Sequence, residues 1–299
     1  MAMSIFMVFS VASFHGRKMT ALCRFHDKCA ARAGPPGQGP PGVVWTAEGA
    51  LPTMLPGDCM RNRGLLVKLG ILKTDAVRPE WVPDFGEYPD MFVALLGRLD
   101  PSLEFAVYDV ERGEYPQDID EVDAYLITGS KSSVYDDKPW IATLMEFVRE
   151  LHRRRKKLVG ICFGHQLVAH ALGGQTAKSP KGWGVGLHRH RFSHSPAWHD
   201  QGEAEFAILV SHQDQVVKNA LGAQVLASSE FCENAVVQVN EHILTFQGHP
   251  EFVPAYSREI MDFRREIIGE PAYSAGVASL NEAPETDRIG RWILRFLRA

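Results

Sequence analysis

The sequence predicts an α/β fold: a three-layer sandwich with a mostly parallel central sheet, a nucleophile elbow, and a strand-rich insertion before the C-terminal helices. Three observations carry this expectation. Short, largely apolar runs alternate with amphipathic stretches between residues 65 and 161. A cysteine flanked by glycines joins the last of these runs to a following helix. Residues 175–247 then hold one short strand pattern after another, with little helix between them. Apolar strands separated by helices imply a parallel sheet covered on both faces.

In chain order, "LLVKLGIL" (65–72) is expected as a strand, "DMFVALLGRL" (90–99) as a helix, and "EFAVYDV" (104–110) and "AYLITGS" (124–130) as strands. A helix over 139–152 places Ile141, Leu144, Met145, Val148 and Leu151 at helical spacing, and "KLVGI" (157–161) follows as a strand. A helix is expected to begin near His165. The insertion contributes "GWGVGLHRHRF", "EFAILVSH", "AQVLASS", "AVVQVN" and "HILTFQ", and helices return at about 253–268 and 285–298. The last of these carries Ile289, Trp292, Ile293, Phe296 and Leu297 on one stripe. No internal repeat is visible.

Composition narrows the classes of function. The 299 residues are 45% hydrophobic and 23% charged, with a net charge of −4, as for a globular protein with a substantial core. Mild acidity gives no electrostatic footprint for nucleic acid. The basic run "RRRKK" (153–157) complements the carboxyl end of the helix before it. Cys23, Cys29, Cys59, Cys162 and Cys232 are unevenly spaced and form no paired CxxC motif, which predicts a reducing, cytoplasmic setting. The apolar start "MAMSIFMVFSVASF" lacks a preceding basic residue and is too short to span a bilayer, so no membrane role is expected. Residues 1–59, rich in proline and glycine at 31–42, are expected as a loosely ordered extension, with the folded domain over 60–299. An ordered arm packed on that domain is the alternative.

"GICFGHQ" (160–166) puts Cys162 at a tight strand-to-helix turn, in the pattern Gly-x-Cys-x-Gly. Small neighbours are required where such a turn brings backbone segments together. The thiol would sit over the carboxyl edge of the sheet, where helix N–H groups favour a thiolate. A buried structural cysteine is the bland alternative. A nucleophile needs a base and the base an orienting group. "TFQGHPEF" (245–252) offers both: His249 follows a strand, and Glu251 lies two residues on, so in extended backbone the two side chains project the same way. A helix-capping role for this His-Pro-Glu is compatible with that reading.

"GICFGHQ" together with "QGHPE" resembles the class I glutamine amidotransferase family, in particular the amidotransferase domain of GMP synthase and its stand-alone relatives. The resemblance runs from residue 66 to about 270. It implies a Cys162-His249-Glu251 triad that hydrolyses a γ-glutamyl amide, glutamine or a γ-glutamyl peptide or conjugate, through a glutamyl thioester. It also implies an oxyanion hole from the backbone N–H groups of Gly129, in "ITGS", and Phe163. Gln166, and Ser211 and His212 in "SHQD", would bind substrate, although Gln166 also reads as a helix-surface amide. Members of the family commonly pass ammonia to a synthase, so the alternative is a glutaminase subunit serving a separate synthase. A non-enzymatic regulator is disfavoured because all three triad residues are present.

Other features are set aside. His188, His190, His194 and His199 have no acidic or cysteine partner at useful spacing before Asp200, so no metal site is expected. No glycine-rich phosphate loop is present, and no cofactor is expected. "GEYPDMF" (86–92) and "SVYDDKPW" (134–140) are candidates to meet the non-glutamyl part of a substrate, with turn and cap roles as alternatives.

Overall fold

The structure, a computed structural model, describes residues 68–200 and 204–299. The expected extension at 1–59 and its boundary lie outside the described residues. The first half alternates strand and helix: β1 (Lys68–Lys73), α1 (Val82–Phe85), α2 (Tyr88–Leu99), β2 (Glu104–Asp109), β3 (Ala124–Ile127), α3 (Pro139–Arg153), β4 (Lys157–Ile161) and α4 (Phe163–Ala171). Seven strands follow: β5 (Gln175–Lys178), β6 (Gly184–Phe192), β7 (Glu205–His212), β8 (Asp214–Lys218), β9 (Ala223–Ser228), β10 (Val236–Val239) and β11 (Ile243–Phe246). The chain closes with α5 (Pro254–Phe263), α6 (Arg265–Ile268), α7 (Glu270–Ser279) and α8 (Thr286–Arg298).

Nine strands form one sheet in the order β2-β1-β3-β4-β11-β10-β9-β6-β7. From β2 to β11 the neighbours are parallel; from β11 onward each pair is antiparallel. The insertion therefore extends the parallel sheet and makes it mixed. Alternate residues of the central strands feed two separate cores. Ile71, Leu126, Val159 and Leu244 pack with α2 and α8, through Phe92, Leu96, Trp292 and Ile293. Leu72, Ile127, Leu158 and Ile243 pack with α3 and α4, through Leu144, Val148, Leu167 and Val168. This is the three-layer sandwich, and it explains why these strands read as continuously apolar.

Several details differ from the sequence expectation. The fourth helix starts at Phe163, directly after the cysteine, because the elbow turns within one residue. The strand expected to reach Ser130 ends at Ile127, releasing Thr128–Ser130 as a loop at the carboxyl edge. β5 and β8 pair as a separate antiparallel ribbon, and the helix expected over 253–268 is divided at Arg264. Among the described residues, no helix is long and apolar enough to cross a membrane.

Candidate active site

The parallel register sets Ile161 beside Phe246, and the Cys162 N–H donates to the Phe246 carbonyl at 2.8 Å. Cys162 itself sits at φ 51°, ψ −98°. A non-glycine residue held in such a conformation costs about 1–3 kcal/mol, which the surrounding fold must offset. Both flanking glycines are needed for close approach. A Cβ at Gly160 would lie 2.7 Å from the Gly164 carbonyl oxygen, and one at Gly164 would lie 2.7 Å from that of Ile127. The first turn of α4 thus lies directly on β3 and β4.

The turn after β11 delivers His249. The His249 N–H donates to the Leu209 carbonyl at 2.8 Å, an isolated bridge that ties β7 to this turn. Gly248 permits it, because a Cβ there would meet Ile208 at 2.9 Å. His249 Nδ1 donates to Glu251 Oε1 at 2.8 Å, and the Cys162 sulfur is near enough to the imidazole to act on its proton affinity. The ring stacks on Phe252 with centroids 3.9 Å apart. Burial disfavours the imidazolium, but the Glu251 carboxylate and the Cys162 sulfur outweigh it and raise the proton affinity of His249 well above the ordinary histidine value. Gly129 completes the cluster: a Cβ there would stand 2.8 Å from His249 Cε1 and 3.7 Å from Cys162 Cβ. Phe163, as the first helical residue, has a backbone N–H without an intrahelical acceptor. The structure thus gathers Cys162, His249, Glu251, Gly129 and Phe163 at one point. Glu251 precedes the helix cap at Val253, so the capping alternative does not apply to it.

Cys162 opens into a cleft of about 550 Å³, in the range of about 300–1,000 Å³ usual for small-molecule sites. Gln166, Ser211 and His212 all line it. Gln166 is buried, and its amide nitrogen donates to the Asp214 carbonyl at 2.8 Å and to Gln247 Oε1 at 3.1 Å, which rules out a helix-surface role. Ser211 Oγ accepts from Arg264 at 3.2 Å. Burial lowers the His212 pKa to about 3, so its ring is neutral. Lys178 and Arg264 bring positive charge to the cleft, and Asp214 and Glu266 negative charge.

Two supporting residues have no role predicted from the sequence, although Gln247 opens the "QGHPE" motif. Thr74 Oγ1 donates to the Gly129 carbonyl at 2.8 Å and fixes the 129–130 peptide. Gln247 Nε2 donates to Cys162 Sγ at 3.6 Å. Neither segment proposed for the rest of a substrate lines the cleft as expected. Tyr88 instead stacks on Phe252 and its hydroxyl accepts from Tyr256 at 3.1 Å. From the second segment's neighbourhood it is Ser130 to Ser133 that face the cleft, with Ser133 Oγ donating to Asp214 at 2.6 Å. His190 and His199 pack against Phe206 and Phe192. Burial drives the Cys232 thiol up to about 12.

Fold and site define an α/β enzyme with a thiol at a strand-to-helix elbow beside a histidine–carboxylate pair. Residues 82–264 match the family "Glutamine amidotransferase class-I", and the chain belongs to that family. A glutamine amidotransferase-like protein of Schizosaccharomyces pombe is 32% identical over 248 residues, covering 77% of this chain and 98% of the relative. Gamma-glutamyl peptidase 3 of Arabidopsis thaliana is 30% identical over 214 residues, covering 69% of this chain and 85% of the relative. Among solved structures, a glutamine amido transferase from Methylobacillus flagellatus superposes with TM-score 0.60 at 22% identity, over 77% of this chain and 92% of that one.

Proposed function

We propose that the protein hydrolyses γ-glutamyl amide bonds, in glutamine or in a γ-glutamyl peptide or conjugate, through a glutamyl thioester on Cys162. The observation that carries this reading is the junction of cleft and elbow: Cys162 and Gln166 line the cleft, while the His249–Glu251 pair stands beside the same sulfur. The Cys162 thiolate attacks the γ-carbonyl carbon, and the oxyanion that forms is received by the Gly129 and Phe163 N–H groups. The His249 imidazolium gives its proton to the departing nitrogen as the C–N bond breaks, leaving the thioester. A water then loses its proton to His249 and attacks the same carbon, the C–S bond breaks, and glutamate is released as the Cys162 thiolate re-forms. Glu251 holds the imidazole in the tautomer that both half-reactions need.

The cleft also supports a substrate larger than glutamine. Its rim combines hydroxyl, amide and charged side chains with Trp183 and the exposed Phe263 and Ile267, a mixed lining that can accommodate a peptide or conjugate. The match to a gamma-glutamyl peptidase over most of that protein's length points the same way. The test is release of glutamate and amine by the purified chain from glutamine, a γ-glutamyl dipeptide and glutathione, with Cys162→Ala as the blank. Cys162-dependent turnover of the peptides is expected. Near-silence on all three would favour the alternative, a glutaminase subunit that serves a separate synthase.

A further inference from the structure

The side-chain amides of Gln166 and Gln247 form a short chain that runs from the cleft to the sulfur. Gln166 lines the cleft, and its Nε2 spends its protons on the Asp214 carbonyl at 2.8 Å and on Gln247 Oε1 at 3.1 Å. Gln247 does not line the cleft and is buried. With its carbonyl oxygen held by Gln166, its amide nitrogen is turned toward Cys162 Sγ, 3.6 Å away. Without that clamp, the amide has two nearly isosteric orientations, and only one presents a donor to the sulfur. Its backbone N–H is pinned to the Ala235 carbonyl at 2.9 Å, so the side chain has a fixed root.

We infer that Gln247 is a positioning residue for the nucleophile: it holds the anionic sulfur through its amide N–H, and Gln166 sets the orientation that makes this possible. The inference rests on the catalytic reading of Cys162 but assigns a role to a residue that does not touch substrate. Gln247 takes no part in the proton transfers of His249, so its N–H stays available to the sulfur when hydrolysis of the thioester releases the thiolate again. A donor to an anion contributes more than one between neutral groups. Amides joined head to tail also polarise one another in one direction, from Gln166 toward the sulfur. A ligand donor that reaches the Gln166 carbonyl oxygen in the cleft would strengthen the same chain.

The test uses the full chain and two readouts on Cys162, the thiolate ultraviolet absorbance that Cys162→Ala removes and the rate of alkylation by iodoacetamide. Gln247→Glu keeps the shape and the acceptor for Gln166 but offers the sulfur no amide donor. It is expected to reduce both signals about tenfold and kcat on a γ-glutamyl substrate by a similar factor, with KM within about twofold, since a donor to an anion is among the stronger hydrogen bonds. Gln166→Leu is expected to lower the alkylation rate severalfold, and adding it to Gln247→Glu should lower it little further, the non-additivity of residues that act in series. Wild-type absorbance and alkylation in Gln247→Glu would overturn the inference even where kcat falls. Fully additive effects of the two substitutions would overturn the role given to Gln166. Should Cys162→Ala itself retain turnover, the catalytic reading fails, while the absorbance and alkylation results still decide whether Gln247 holds the sulfur.

Discussion

At the scale of single residues, the site depends on a few side chains whose contacts are all directed at one sulfur. In the proposed mechanism His249 is the base, and its replacement by Gln should cost about 10²–10⁴-fold in kcat, the usual worth of a positioned proton-transfer group. Thr74 acts at one remove: its Oγ1 contacts the Thr128 carbonyl at 3.1 Å and the Gly129 carbonyl at 2.8 Å, and so fixes the peptide whose N–H, that of Gly129, is proposed to receive the oxyanion. Thr74→Val is therefore expected to lower kcat about tenfold with little change in KM, and to cost about 1 kcal/mol of stability from the lost hydrogen bond. Steady-state kinetics decide this, and a raised KM with intact kcat would show that Thr74 serves binding instead. Cys162, His249 and Glu251 were legible in the sequence because each pair of signals is local: glycines two residues from the cysteine, and a carboxylate two residues from the histidine. The contacts of Thr74 and of Gln247 were not, although Gln247 stands in "QGHPE", because both are made across the fold, Thr74 with the loop after β3 and Gln247 with the elbow after β4.

At the scale of elements, the elbow is a packing problem solved with glycine. β3, β4 and the start of α4 meet so closely that no side chain fits at Gly160 or Gly164. Gly164→Ala is expected to cost about 1–3 kcal/mol, as overpacking against a rigid neighbour does, and to shift the sulfur away from His249. A urea midpoint measured alongside kcat separates the two effects. The apolar strands and striped helices were read correctly because burial on both sheet faces imposes a strong pattern. β5 (QTAK) and β8 (DQVVK) were missed because their short, largely polar sequences are held by each other in a small ribbon. α7 (EPAYSAGVAS) was missed because its small residues make no apolar stripe; Gly276 instead brings it against Val185 and Met261.

At the scale of the whole molecule, buried neutral histidines set the acid limit of stability. Burial lowers the pKa values of His165, His190 and His212 from 6.5 to about 3. Between these values the unfolded chain binds protons that the folded chain refuses, so stability falls as pH drops from about 6.5 toward 3. Thermal melts across this window should show a steep decline, less steep in His190→Phe, which removes one of these contributions. A flat profile from pH 6.5 to 4 would contradict the neutral, buried assignment of these rings. The central claim, that Cys162 becomes acylated, is tested most directly by mass. The chain is mixed briefly with a γ-glutamyl anilide, quenched in acid and digested, and the peptide containing Cys162 is weighed. The account predicts a glutamyl group on that peptide in the wild-type chain and none in Cys162→Ala, which also loses turnover. Continued hydrolysis by Cys162→Ala, with no adduct on the wild-type cysteine, would contradict it.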